Sequence, residues 1–189
     1  VATKGGHPEL DSGVPFGEMW LETGKIRTDL EGSLETLRVE SVDLYYLHRD
    51  DPRIPVGEIM GVLADFVAEG KVRYLGASNW SPERIREANT WARENRKPGF
   101  VANQMQWHAG IWKRSWNESG PMCRMDRNTY AFHRESGLAA VPYSSQAGGW
   151  FSKAVDPATE RDRLSRSWFA GAGLQTAAEV IREIAEEAS

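Results

Sequence analysis

Five strand-like runs in this chain each end in residues that can hydrogen-bond or titrate: Thr3-Lys4, His48, Ser78-Asn79, Asn103-Gln104 and Tyr143-Ser144. In a parallel β/α structure such ends share one rim, where sites for polar ligands are built. His48 directly follows an apolar run. A neutral imidazole there can hydrogen-bond a carbonyl and polarise it or share in proton transfer. The same ring could instead be satisfied by loop backbone, or ligate a metal with Asp50 and Asp51. Zinc asks for roughly four placed ligands, and His7, His108 and His133 lack ligand spacing, so no metal is expected. Serine, asparagine and glutamine side chains supply donors and acceptors together. Ser78-Asn79 could cap the helix that starts at Ser81-Pro82, although Ser81 already serves that end. Gln104 closes an apolar run where no cap accounts for its polarity, so it needs a partner. Ser144, Ser145 and Gln146 lead into Gly148-Gly149. That small polar loop suits a pyrophosphate, through hydroxyls and backbone amides, and reads equally as a turn.

The elements that would position these residues alternate. Val42 to Leu47, Val72 to Ala77, Phe100 to Met105 and Leu138 to Tyr143 are near-continuous apolar runs, and Val1-Ala2-Thr3 resembles the tail of another. Such runs suit a parallel sheet covered on both faces. Between them, Ile26, Leu30, Leu34 and Leu37 recur at helical spacing, as do Val56, Ile59, Met60, Leu63 and Val67 ahead of Gly70. Ile85, Ala88 and Ala92 form an inward stripe after Ser81-Pro82-Glu83. Further helices are predicted from Arg124 to Glu135, ended by Gly137, and from Ala177 to Ala188 with Ile181 and Ile184 on one stripe. Three long loops are expected: His7 to Gly24, His108 to Met122, and Ser145 to Gly173. Strand–helix alternation means an α/β fold, doubly wound or barrel. No G-x-G-x-x-G turn follows a strand, which disfavours a Rossmann domain.

The chain has 189 residues, enough for one domain with a real core, and a net charge of −4 with no basic stripe, so nucleic acid is not an expected partner. One cysteine, Cys123, points to a reducing, cytoplasmic setting. No apolar run of membrane-spanning length and no signal peptide are read. Of eight tryptophans, Trp80, Trp107, Trp112, Trp116 and Trp150 lie near strand ends; Trp80 and Trp107 are candidate substrate-pocket walls.

Asp43 to His48, Gly70 to Trp80, Asn103-Gln104, Tyr143-Ser144-Ser145 and Thr3-Lys4 together resemble the aldo-keto reductase superfamily in order and spacing. The resemblance implies a (β/α)8 TIM barrel, of which residues 1–189, read as a single partial domain, cover the third to seventh strand units. A closed barrel typically takes about 200–250 residues, and only five strands are counted here. The chain also opens inside a strand without Met, so the expectation is a piece of a longer polypeptide, inactive alone. The implied activity is NADP(H)-dependent reduction of an aldehyde or ketone. Lys4 would lie beside a catalytic tyrosine, favouring phenolate and lowering a pKa otherwise near 10. That tyrosine and its partner aspartate are expected upstream of Val1. His48 would orient the carbonyl. Ser78, Asn79 and Gln104 would hold the nicotinamide carboxamide, Tyr143 would stack on the ring, and Ser144, Ser145 and Gln146 would approach the phosphates. The rivals are a non-catalytic, nucleotide-binding regulatory subunit of the same build and a metal-dependent hydrolase on the same barrel. Substrate identity, NADP over NAD and oligomeric state are not legible.

Overall fold

The structure is a computed structural model, and it describes residues 1–7, 21, 23–108, 123–155, 179–180, 182–184 and 186. In chain order the elements are β1 (Ala2–Gly5), α1 (Thr23–Leu37), β2 (Val42–Leu47), α2 (Val56–Ala68), β3 (Val72–Ser78), α3 (Pro82–Glu94), β4 (Phe100–Gln104), α4 (Arg127–Ser136), β5 (Ala139–Ala140) and α5 (Trp150–Val155). The chain divides into two compact units. The first comprises Val1–Met105 with Gly120–Val141, the second Gln106–Ser119 with Pro142–Ser189.

In the first unit the five strands are all parallel and lie in the order β1-β2-β3-β4-β5. A doubly wound sheet reverses its strand order at a switch point; this monotonic order is that of a (β/α) barrel. The helix-covered face holds the core. Val42, Tyr45 and Leu47 of β2 and Val72, Leu75 and Ala77 of β3 pack there against Ile26 and Leu30 of α1, Ile59, Met60 and Leu63 of α2, and Ile85 and Ala88 of α3.

The helix ends follow from their residues. Ser81 Oγ accepts the Arg84 N–H at 3.2 Å, with Pro82 at the first helical position. Asp126 accepts the Thr129 N–H at 2.8 Å, so α4 begins at Arg127 rather than at the expected Arg124. Gly70 (φ +74°) closes α2: its N–H reaches Val67 O at 3.1 Å and the Lys71 N–H reaches Phe66 O at 3.0 Å, the paired bonds of a Schellman end. Leu37, expected on the inward stripe of α1, is 44 % exposed at the last position of that helix. In α2 the stripe runs through Phe66, with Val67 only partly buried.

The fifth strand is shorter than the Leu138 to Tyr143 run suggested. It pairs only as Ala102↔Ala139 and Asn103↔Ala140. Beyond it the Val141 N–H still donates to Asn103 O at 2.9 Å. In the second unit Gln106 and Tyr143 form an isolated parallel bridge, and Trp107 N–H donates to Tyr143 O at 3.2 Å. A 3-10 turn, Ala147–Gly149, leads into α5. Of the stripe expected in the last segment, Ile184 is exposed and Ile181 lies outside the described residues. Most of the three long loops, with Trp112 and Trp116, lies outside the described residues. No helix of the described residues is long and apolar enough to cross a membrane.

Candidate active site

Register decides which strand-end residues share a face, because neighbours paired across a sheet point the same way and successive residues along one strand point to opposite faces. Lys4 pairs with Tyr46, Tyr46 with Gly76, and Gly76 with Ala102. Those four positions form one row on the face opposite the helices. Two residues further along each strand, the next row carries His48, Ser78 and Gln104. Ser78 pairs with Gln104, and the ladder persists to His48, whose N–H donates to Gly5 O at 2.8 Å. Five of the expected site residues thus fall in one region of the first unit: Lys4, His48, Ser78, Asn79 and Gln104.

Gly76 leaves the room for this arrangement. A Cβ there would stand 2.5 Å from Tyr46 Cδ1. The Tyr46 ring fills that space, and the Lys4 ammonium sits 5.9 Å from its centroid. Burial and the neighbouring Arg49 cation hold Lys4 below the usual lysine range. Burial raises the Tyr46 phenol, so Tyr46 stays protonated and is not the activated phenol of a lysine pair.

His48 is partly buried, with its ring centroid 4.4 Å from that of His7 and the planes 59° apart. Burial first, then electrostatic repulsion from Lys4, His7 and Arg49, pushes its pKa down to about 3. Its imidazole is therefore neutral at any ordinary working pH, one ring nitrogen donating and the other accepting.

Asn79 sits at φ +60°, a left-handed conformation that asparagine tolerates better than most residues. Its Nδ2 donates to Ser78 Oγ at 3.2 Å and to His48 O at 3.4 Å, and its backbone N–H donates to Gln104 O at 2.9 Å. Ser78 is fully buried, so its hydroxyl orients the Asn79 amide. The Gln104 side-chain amide has no hydrogen-bond partner among the described residues, and it stands half-open in the same row. A nicotinamide carboxamide has one carbonyl acceptor and one NH2 donor, and the amides of Asn79 and Gln104 on adjacent strand ends match both. Asn103 pairs with Ala77 and so lies on the helix-covered face, buried, with neither amide atom partnered among the described residues.

Trp80 is a correction. It is fully buried in the core cluster, edge-on to Phe100 with centroids 5.0 Å apart. The large ring is needed for packing under α3, so it is no pocket wall. Trp107, Tyr143, Ser144, Ser145 and Gln146 belong to the second unit. Trp107 is 42 % exposed, Tyr143 partly so, and Ser144, Ser145 and Gln146 are exposed. Ser144 (φ +56°) opens a turn closed by Ala147 N–H to Ser144 O at 2.8 Å. Trp150 is buried beside Phe151.

Two further residues belong to this region: His7, set aside above as lacking ligand spacing, and the buried Arg49, which the sequence does not single out. Each follows a singled-out residue within three positions, which was the available signal. Among the described residues, no three histidine, cysteine, aspartate or glutamate side chains converge to hold a metal ion.

The sequence profile of the aldo/keto reductase family matches residues 1–189. Over 127 residues, 67% of this chain, the sequence is 37% identical to a protein of Glycine max named probable aldo-keto reductase 1. The match covers 32% of that protein, so the chain spans about a third of that relative's length. With its monotonic parallel sheet, its helices between strands and its lysine- and histidine-bearing strand ends, this chain belongs to the aldo/keto reductase family of (β/α)8 barrels.

Proposed function

We propose that the protein carrying this chain is a cytoplasmic, NADPH-dependent oxidoreductase that reduces an aldehyde or ketone to an alcohol, with residues 1–189 part of one barrel domain. The observation that carries this reading is the row of His48, Ser78 and Gln104, with Lys4 one row below on the same face. NADPH, when bound, supplies the hydride. Asn79 and Gln104 hold its carboxamide, which fixes the ring face presented to the substrate, while Ser78 holds the Asn79 amide in position. His48, kept neutral, donates a hydrogen bond to the substrate carbonyl oxygen and so orients and polarises it. The Lys4 ammonium lowers the pKa of a tyrosine ahead of it in the full protein, which gives the alkoxide its proton. In the second unit, taken by itself, Tyr143 offers a ring suited to stacking, and Ser144, Ser145 and Gln146 offer hydroxyl, amide and backbone donors suited to phosphates.

The test is NADPH oxidation by the full-length protein across a panel of aldehydes, beside a Lys4→Met variant. Turnover is expected to fall by roughly 100- to 10,000-fold on losing this support to proton transfer, with nucleotide affinity little changed. Equal rates would remove Lys4 from the chemistry. Tight NADPH binding without turnover on any carbonyl would point instead to a regulatory subunit.

A further inference from the structure

The rim holding His48 and the rim holding Asn79 are successive loops on different strands, and one side chain fastens them together. Arg84 is the third residue of α3, and its side chain is only 11 % exposed despite its charge. Its Nε donates to both carboxylate oxygens of Asp50, at 3.1 and 3.2 Å. Its Nη2 donates to the backbone carbonyls of Asp51, at 3.3 Å, and Ile54. Its Nη1 donates to Glu87 at 3.0 Å, and the guanidinium lies over the Trp80 ring, 5.7 Å from the centroid. All three nitrogens are used. Two of them reach the loop that starts at His48 and ends at α2, and the stacked ring is the residue after Asn79.

We propose that Arg84, anchored by Asp50, is a positioning residue of the carbonyl-reducing site: it sets the spacing between His48 and the amides of Asn79 and Gln104. The inference rests on the function proposed above and names a residue that supports it from outside. Stability alone does not call for this pair, because burying a charge is costly and apolar side chains of equal volume often replace buried ion pairs without loss. A planar fork fixes register between the segments it bridges, which an apolar side chain or a lysine cannot do. Register is what this region needs. Asn79 is held in a left-handed conformation by its surroundings, and its amide reaches the His48 carbonyl at only 3.4 Å. Sliding the Asp50 loop moves both the imidazole and that acceptor.

The experiment uses the full-length protein with Arg84→Met, Arg84→Lys and Asp50→Asn. Expected for Arg84→Met is a native circular-dichroism spectrum, a roughly 10-fold or greater rise in KM for NADPH, and a kcat lower by roughly 10- to 100-fold, the scale of a small misplacement of reacting groups. The deuterium isotope effect on the transferred hydrogen should grow as hydride transfer becomes limiting. Asp50→Asn should show the same signature more weakly, and the Arg84→Met/Asp50→Asn pair should be no worse than Arg84→Met alone, since both act through one clamp. If Arg84→Met does not fold, Arg84→Lys carries the same measurements, keeping charge and length while losing the fork. Wild-type kcat, KM and isotope effect in either folded variant overturn the proposal. If the wild-type protein turns over no carbonyl, the functional reading fails on its own. The clamp is then read from NADPH affinity by fluorescence titration, where unchanged binding in Arg84→Lys overturns it.

Discussion

Two polar rims of this chain are built in opposite ways. In the first unit, Ser78 and Asn79 are buried, Asn79 is bonded to its neighbour on β3 and to the His48 carbonyl of the next strand, and Arg84 ties the loops beneath them. In the second unit, Ser144, Ser145 and Gln146 are exposed, and backbone bonds from Ala147, Gly149 and Trp150 give the turn its shape. Asn79 and Ser144 share nearly the same left-handed φ, +60° and +56°, yet only Asn79 uses its side chain to hold it. The first rim uses burial and side-chain bonds to fix orientation. The second is shaped by its backbone bonds and leaves its side chains exposed.

The largest test of that contrast is acid. His48 has a folded pKa near 3, below the 6.5 of an ordinary histidine. The folded state therefore binds fewer protons than the unfolded chain between those values. The stabilising contribution is complete above pH 6.5 and is lost as pH falls toward 3. Replacing His48→Gln removes that dependence. Relative to wild type, the variant should gain stability between pH 7 and pH 4, by less than about 3 kcal/mol because solvent screens this partly open ring, measured by chemical denaturation at both values. A wild-type His48 resonance titrating near 6.5 would mean that the first rim is as wet as the second.

Next comes Gly76→Ala. The added methyl meets the Tyr46 ring, which also lies beneath Lys4, so the ring must move and disturb the row below His48. Overpacking of this kind costs about 1–3 kcal/mol, and denaturation midpoints should show it. A change under about 0.5 kcal/mol would mean that the ring is loosely held and the rim less rigid than its burial implies.

The sequence carried the frame of this contrast but not its fastenings. The strands, the capped ends at Ser81-Pro82, Gly70 and Gly137, and the shared face of Lys4, His48 and Gln104 follow from local signals: apolar runs, caps and the two-residue alternation of strands. Such signals say which way a residue points, not what crosses from another segment to meet it. Arg84 and Asp50 are 34 positions apart, and nothing local to either marks the pair. Trp80 differs from its expectation for the same reason: its place after Asn79 suggests the rim, whereas it packs edge-on to Phe100, 20 residues on, in the core. Leu37 fits the helical period of α1 yet is exposed at the last position of that helix, and periodicity does not mark where a helix stops.

The smallest effect is also the sharpest in sign. Ser144 makes no side-chain hydrogen bond among the described residues, and its left-handed conformation carries strain that glycine would not. Ser144→Gly should therefore leave stability unchanged or raise it by about 0.5 kcal/mol. Asn79→Gly accepts the same backbone equally well but loses the bonds to Ser78 Oγ and His48 O, so it should lower stability by about 1 kcal/mol and raise KM for NADPH. Paired denaturation curves decide the matter. Two glycine variants that shift the same way would mean that backbone strain alone distinguishes these positions, and that the Asn79 amide orients nothing.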